Sequence, residues 1–85
     1  MKITRVGLDI AKLVFQVHGV DEHGKSCLRK QLPRAKVLQF FAQLPQCLVG
    51  IEACASSHYW GRELTKLGHT VKLMGAQFVL SLIHI

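Results

Sequence analysis

Asp9 and Glu52 are set in apolar company, Asp9 within Val6-Gly7-Leu8-Asp9-Ile10 and Glu52 at the end of Leu48-Val49-Gly50-Ile51-Glu52. A carboxylate inside an apolar strand costs about 2 kcal/mol or more unless it is paired, hydrogen-bonded or bound to a metal. Two hard oxygen ligands at neighbouring strand ends suit Mg²⁺, which takes one or two carboxylates and fills its shell with waters and phosphate oxygens. Pairs of such ions, roughly 4 Å apart, activate the attacking and leaving oxygens of phosphodiester chemistry. Structural roles compete with this one. Asp9 could serve a turn or cap between two strands, and Glu52 could support the start of the next helix. Two carboxylates also fall short of a two-metal site. The remaining acids are Asp21 and Glu22 in a turn sequence and Glu63 on the polar side of a helix pattern.

The elements that must position these acids are legible from periodicity. Ile3 to Ile10 is a strand pattern; Leu13 to Val20 alternates Leu13, Phe15 and Val17 against Gln16 and His18. Asp21-Glu22-His23-Gly24 predicts a hairpin turn, and Ser26 to Leu32 a third strand with Leu28, Lys30 and Leu32 on one face. Helical spacing follows in Val37, Phe40, Phe41 and Leu44, between Pro33 and Pro45. Cys47 to Ile51 is an uninterrupted apolar run, as expected of a strand covered on both faces. A second helix is expected from Ser56 or Ser57 to Gly68, with Trp60, Leu64 and Leu67 as its buried stripe, and a last strand from His69 to Met74. The expected fold class is α/β, a mixed sheet of the ribonuclease H-like type in the order βββ-α-β-α-β, incomplete. The first strand and the strand ending at Glu52 become parallel neighbours, which brings Asp9 and Glu52 together where open α/β sheets place their ligands.

The 85 residues make one small domain, with 11 Lys+Arg against 5 Asp+Glu, a net charge of +6 and 49% apolar residues. Such a chain is neither disordered nor a large enzyme, and its charge favours polyanionic partners. Cys27, Cys47 and Cys54 form neither a CxxC pair nor an even set, so reduced thiols and a cytoplasmic location are expected, with no signal peptide and no membrane span. Lys25, Arg29, Lys30, Arg34 and Lys36 place five cations in twelve residues without an acid. They form either a phosphate-contacting stripe or an ordinary charged edge. Lys12 is a candidate contact to a scissile phosphate. Cys54 and His58 have i, i+4 spacing but no further ligands at usable distance, so a buried small thiol is the expectation for Cys54. Tyr59 could stack on a base, whereas Trp60 belongs with the helix stripe.

Val6-Gly7-Leu8-Asp9-Ile10-Ala11-Lys12 with Val14-Phe15, and Gly50-Ile51-Glu52-Ala53-Cys54-Ala55-Ser56-Ser57-His58-Tyr59-Trp60 with Glu63-Leu64 and Leu67-Gly68-His69, together resemble the opening of the DEDD transposases of bacterial insertion sequences. The resemblance runs from Met1 to about Val79. It implies that residues 1–79 are part of a RuvC-like, ribonuclease H-like domain, with Asp9 and Glu52 as the first two acids of a catalytic, Mg²⁺-binding tetrad. The family's third and fourth acids and its serine-bearing C-terminal domain have no counterpart in this sequence. The implied activity, Mg²⁺-dependent DNA transposition with DNA and a guide RNA as partners and a homo-oligomer as the working form, therefore belongs to a longer parent chain, this piece being inactive alone. Residues 80–85, Leu80-Ser81-Leu82-Ile83-His84-Ile85, match a translation of CTG TCT CTT ATA CAC ATC, the end of a sequencing adaptor, and are expected to be a non-native tail; the competing reading is an apolar terminal strand.

Two readings from other classes stand beside this one. The first is a non-catalytic basic DNA- or RNA-binding module, indifferent to Mg²⁺ and strongly salt-dependent. The second is a nucleotide-binding fragment of the actin and sugar-kinase type, which Ala11-Lys12-Leu13-Val14 disfavours because no Gly- or Thr-rich phosphate hairpin follows Asp9.

Overall fold

The computed structural model describes residues 3–11 and 13–82. Five strands and three α-helices follow one another as β1 (Ile3–Ile10), β2 (Val14–Asp21), β3 (Ser26–Pro33), a 3₁₀ turn (Arg34–Lys36), α1 (Val37–Gln43), β4 (Leu48–Glu52), α2 (Ser57–Lys66), β5 (Thr70–Met74) and α3 (Ala76–Leu82). The strands form a single mixed sheet in the order β3-β2-β1-β4-β5. Antiparallel ladders join β1 to β2 and β2 to β3, while β1–β4 and β4–β5 are parallel. The expected succession is thus present, with α3 added after it.

The β2–β3 turn closes because Gly24 adopts φ 78° and donates to Asp21 O at 3.0 Å. The Asp21 carboxylate reinforces it, Oδ1 accepting from His23 N at 2.9 Å and Lys25 N at 3.0 Å. Period-2 alternation sends Val6 and Leu8 of β1, Phe15 and Val17 of β2, and Val49 and Ile51 of β4 to one face. There they meet Val37 and Phe41 of α1 and Trp60 and Leu64 of α2 in the main core. α3 contacts β1 and β4 on the opposite face, where an added Cβ on Gly50 would lie 2.7 Å from Leu82 Cδ2.

Four local readings are corrected. The first helix, expected between Pro33 and Pro45, begins as a 3₁₀ turn over Arg34–Lys36, and α1 proper covers only Val37–Gln43. Leu13 precedes β2 and is 72% exposed, beyond the reach of the core-facing alternation. Leu67 is exposed rather than part of the buried stripe, because α2 ends at Lys66 and the chain there turns away. That ending is a Schellman motif in which Gly68 (φ 99°) donates to Thr65 O and His69 to Leu64 O. Finally, the competing reading of residues 80–85 as a terminal strand is not met over Leu80 to Leu82, which continue α3; residues 83–85 lie outside the described residues.

Candidate functional site

Along β1 and β4 the parallel register pairs Val6 with Val49, Gly7 with Gly50, and Leu8 with Ile51. Asp9 and Glu52 each follow the last of these pairs, on strands about 4.8 Å apart in the hydrogen-bonding direction. Alternation aims both away from the core that holds Leu8 and Ile51. They therefore share the face of Gly7 and Gly50. Both acids are exposed. The burial argued from their apolar neighbours does not occur, because each stands on the face opposite Leu8 and Ile51, one residue past the last buried position of its strand. Among the described residues neither carboxylate has a hydrogen-bond or ion-pair partner. Their chemistry is that of two free hard-oxygen donors in one register row.

The ladders extend this row across the sheet. Asp9 pairs with Gln16, and Gln16 with Gln31; Gly7 pairs with His18, and His18 with Arg29. Gln16, His18, Gln31 and Arg29 thus lie on the face of the acids. The sequence reading did not single out Gln16, His18 or Gln31; the alternation of polar residues in β2 was the available signal. His18 is half-buried, and its Nδ1 is covered and without a hydrogen-bond partner among the described residues. Among the described residues no group of three or more His, Cys, Asp and Glu gathers to hold a metal ion.

The five-cation stripe does not form one surface. Arg29 lies on the acid face, whereas Lys30, paired with Val17, lies on the helical face with its Nζ 5.3 Å from the Phe40 ring centroid. Arg34 stands over the Trp60 and Phe15 rings at 5.3 and 5.8 Å. Lys25 belongs to the hairpin turn and Lys36 to the 3₁₀ turn, and all five are exposed. Lys12 lies outside the described residues.

The thiols sort differently from expectation. Cys54 is exposed, in the turn before α2, so it does not share a helix with His58 and is not a buried small hydrophobe. That turn is closed by Ser57, whose Oγ donates to Cys54 O at 2.7 Å and accepts from Cys54 N at 3.0 Å. Cys47 is the buried thiol, pushed up from 9.0 to about 11 by burial, which makes it a neutral S–H at ordinary pH. Beside it, buried His69 joins three elements. Its Nδ1 accepts from Cys47 N at 3.3 Å and its Nε2 reaches Phe41 O at 2.8 Å. The acceptor role of Nδ1 assigns the proton to Nε2, so His69 gives the Phe41 carbonyl a second donor beside Leu44 N at the end of α1. This is scaffold chemistry, joined to the main core through Cys47 and Phe41.

Among the described residues no helix is long and apolar enough to cross a membrane. No family model matches the chain, and no solved structure matches it. Similarity to curated proteins is clear. The chain is 62% identical over 79 residues to a Pseudomonas aeruginosa protein named "Probable family 20 transposase", covering 93% of this chain and 23% of that protein. It is 42% identical to the transposase for insertion sequence element IS1328 of Yersinia enterocolitica, over 91% of this chain and 23% of the relative. It is 36% identical to the transposase for element IS1111A of Coxiella burnetii, over 87% and 20%. The chain spans about a fifth to a quarter of the length of these relatives, and what it resembles across that span is a segment of insertion-sequence transposases.

Proposed function

We propose that this chain is the opening part of a RuvC-like, DEDD-type DNA transposase, with a ribonuclease H-like sheet, and that Asp9 and Glu52 are two of the acids that hold Mg²⁺ against a DNA phosphate. The observation that supports it most is the placement of both carboxylates one residue past the Leu8–Ile51 pair, exposed and on one face. Sheet order β3-β2-β1-β4-β5 and similarity to proteins named as transposases point the same way. Two adjacent like charges without a cation repel each other, and a divalent ion between them removes that repulsion. The donor set, two carboxylates, fits Mg²⁺, a hard ion that takes oxygen ligands. Once bound, Mg²⁺ supplies Lewis-acid activation of phosphate and attacking oxygens.

This chain's own residues then have defined roles. Asp9 and Glu52 orient the ion. Arg29, on the same face, neutralises a phosphate entering beside it, and Gln16 and Gln31 offer amide groups along the row. Remaining ligands and the nucleophile come from the rest of a longer chain. DNA and a guide RNA are the proposed partners, and a homo-oligomer the working form.

The test is a chimera in which these residues replace the matching stretch of the Pseudomonas aeruginosa relative. The chimera should support Mg²⁺-dependent transposition, and Asp9→Asn or Glu52→Gln should lower it at least about a hundredfold, as loss of a transition-state-stabilising group does. A chimera indifferent to both substitutions contradicts the assignment. Unchanged nucleic-acid affinity in such a case would favour the non-catalytic basic module.

A further inference from the structure

Trp60 is the single tryptophan of the sequence, and its ring forms part of an open recess of about 530 Å³ lined by Arg34, Ala35, Leu38, Tyr59 and Trp60. The volume is in the range of small-ligand sites. The recess belongs to the helical layer, because Trp60 packs in the core on the sheet face opposite Asp9 and Glu52. It is therefore separate from the acid site.

Several features of its walls concur. Tyr59 is 45% exposed, and its ring stands at 86° to that of Trp60 with centroids 5.2 Å apart, a contact that occupies at most one of its two faces. The Arg34 guanidinium lies over the Trp60 ring. Trp60 itself is 3% exposed, and its Nε1 is buried with no hydrogen-bond partner among the described residues. A buried donor left in this state costs about 1–3 kcal/mol, which a tryptophan serving the core alone has no reason to bear. The atom is covered, so an acceptor reaches it only when neighbouring side chains shift.

The surrounding charge identifies the occupant. On the other side of the same 3₁₀–α1 segment a second recess is lined by Lys30, Lys36 and Phe40 among others, again pairing cations with an aromatic ring. Glu63, one turn beyond Tyr59, is already paired with Lys66 at 3.0 Å. A ligand with flat apolar faces, hydrogen-bond acceptors and negative charge on its flanks fits these walls. Bases of single-stranded nucleic acid stack on aromatic rings and on guanidinium planes in this way, whereas duplex bases are already stacked and paired.

We propose that the Arg34–Tyr59–Trp60 recess holds one unpaired base of a single-stranded nucleic acid. The base stacks on Tyr59 and against Arg34, an acceptor on it takes the Trp60 Nε1–H, and Lys36 contacts the neighbouring phosphate. This rests on the nucleic-acid reading above but not on the acids.

The experiment follows Trp60 emission while the 85-residue chain is titrated with oligothymidylate of about twelve nucleotides, and measures affinity for a duplex of equal length in parallel. Oligothymidylate should change the emission. Tyr59→Ala should weaken its binding about five- to hundredfold, Tyr59→Leu should do likewise without loss of bulk, and Tyr59→Phe should retain it. Duplex affinity of the Tyr59 variants should be unchanged. Wild-type single-strand affinity in both Tyr59→Ala and Tyr59→Leu overturns the proposal while leaving general nucleic-acid binding in place; the recess would then dock protein. A wild-type chain that binds neither strand nor duplex overturns this proposal and the nucleic-acid part of the preceding one together.

Discussion

Asp9 and Glu52 occupy matching positions at the end of the parallel β1–β4 ladder, each following a member of the Leu8–Ile51 pair and each turned to the face of Gly7 and Gly50. Because both are exposed, the sheet does not depend on them. Asp9→Asn and Glu52→Gln should therefore shift unfolding free energy by no more than about 0.5 kcal/mol, and in the stabilising direction if like-charge repulsion is felt. Urea unfolding of the variants checks this. A loss above about 2 kcal/mol would make the acids structural.

His69 should behave in the opposite way. Its ring holds Cys47 N and Phe41 O, and His69→Ala leaves Cys47 N without a partner and Phe41 O with Leu44 N alone, beside a new cavity. The expected loss is about 2–4 kcal/mol by urea unfolding, with α1 and β4 losing amide-exchange protection together. A loss below about 0.5 kcal/mol would show that water replaces the ring.

Asp21 gives the fold an acid-sensitive hairpin. Lys25 N donates to its carboxylate, as does His23 N, and these bonds hold its carboxyl below the ordinary value of 3.8 against a smaller opposing effect of burial. A depressed carboxyl contributes stability that is present above its unfolded value and lost as pH falls through the folded one. Asp21→Asn keeps an oxygen acceptor but does not titrate. Acid unfolding of that variant should therefore fall less steeply below about pH 4 than that of the wild type. Identical acid limbs would contradict the role of Asp21.

The thiols should separate cleanly in labelling. Cys54 is exposed and Cys47 is buried with its thiol pushed up to about 11. Iodoacetamide at about pH 8 should modify Cys54 first and Cys47 only at the rate of unfolding, since the thiolate is the nucleophile. Early modification of Cys47 would show that the β4 end of the core opens locally.

Much of this arrangement is legible in the residues, and the failures have physical causes. Period-2 alternation in Val6-Gly7-Leu8-Asp9 and in Val49-Gly50-Ile51-Glu52 gives both strands and the common face of the acids. Their exposure is not legible, because it depends on where the covering layer stops. The cation run from Lys25 to Lys36 reads as one stripe until the β2–β3 register places Arg29 and Lys30 on opposite faces. His69 looks like an ordinary strand residue, since its partners Phe41 and Cys47 are distant in sequence and meet only when β5 lies beside β4. α3 is missed for a similar reason: Ala76 to Leu82 lacks a clear polar face, and its placement follows from contact with β1 and β4.

The central proposal, a divalent ion shared by Asp9 and Glu52, is tested most directly by titrating the chain with Mn²⁺ as a paramagnetic substitute for Mg²⁺ and recording amide signals. The expected result is selective broadening at Leu8 to Ile10 and Ile51 to Ala53, reversed by excess Mg²⁺ and lost in Asp9→Asn and in Glu52→Gln. Broadening centred elsewhere, or unchanged in both variants, would contradict the proposed site.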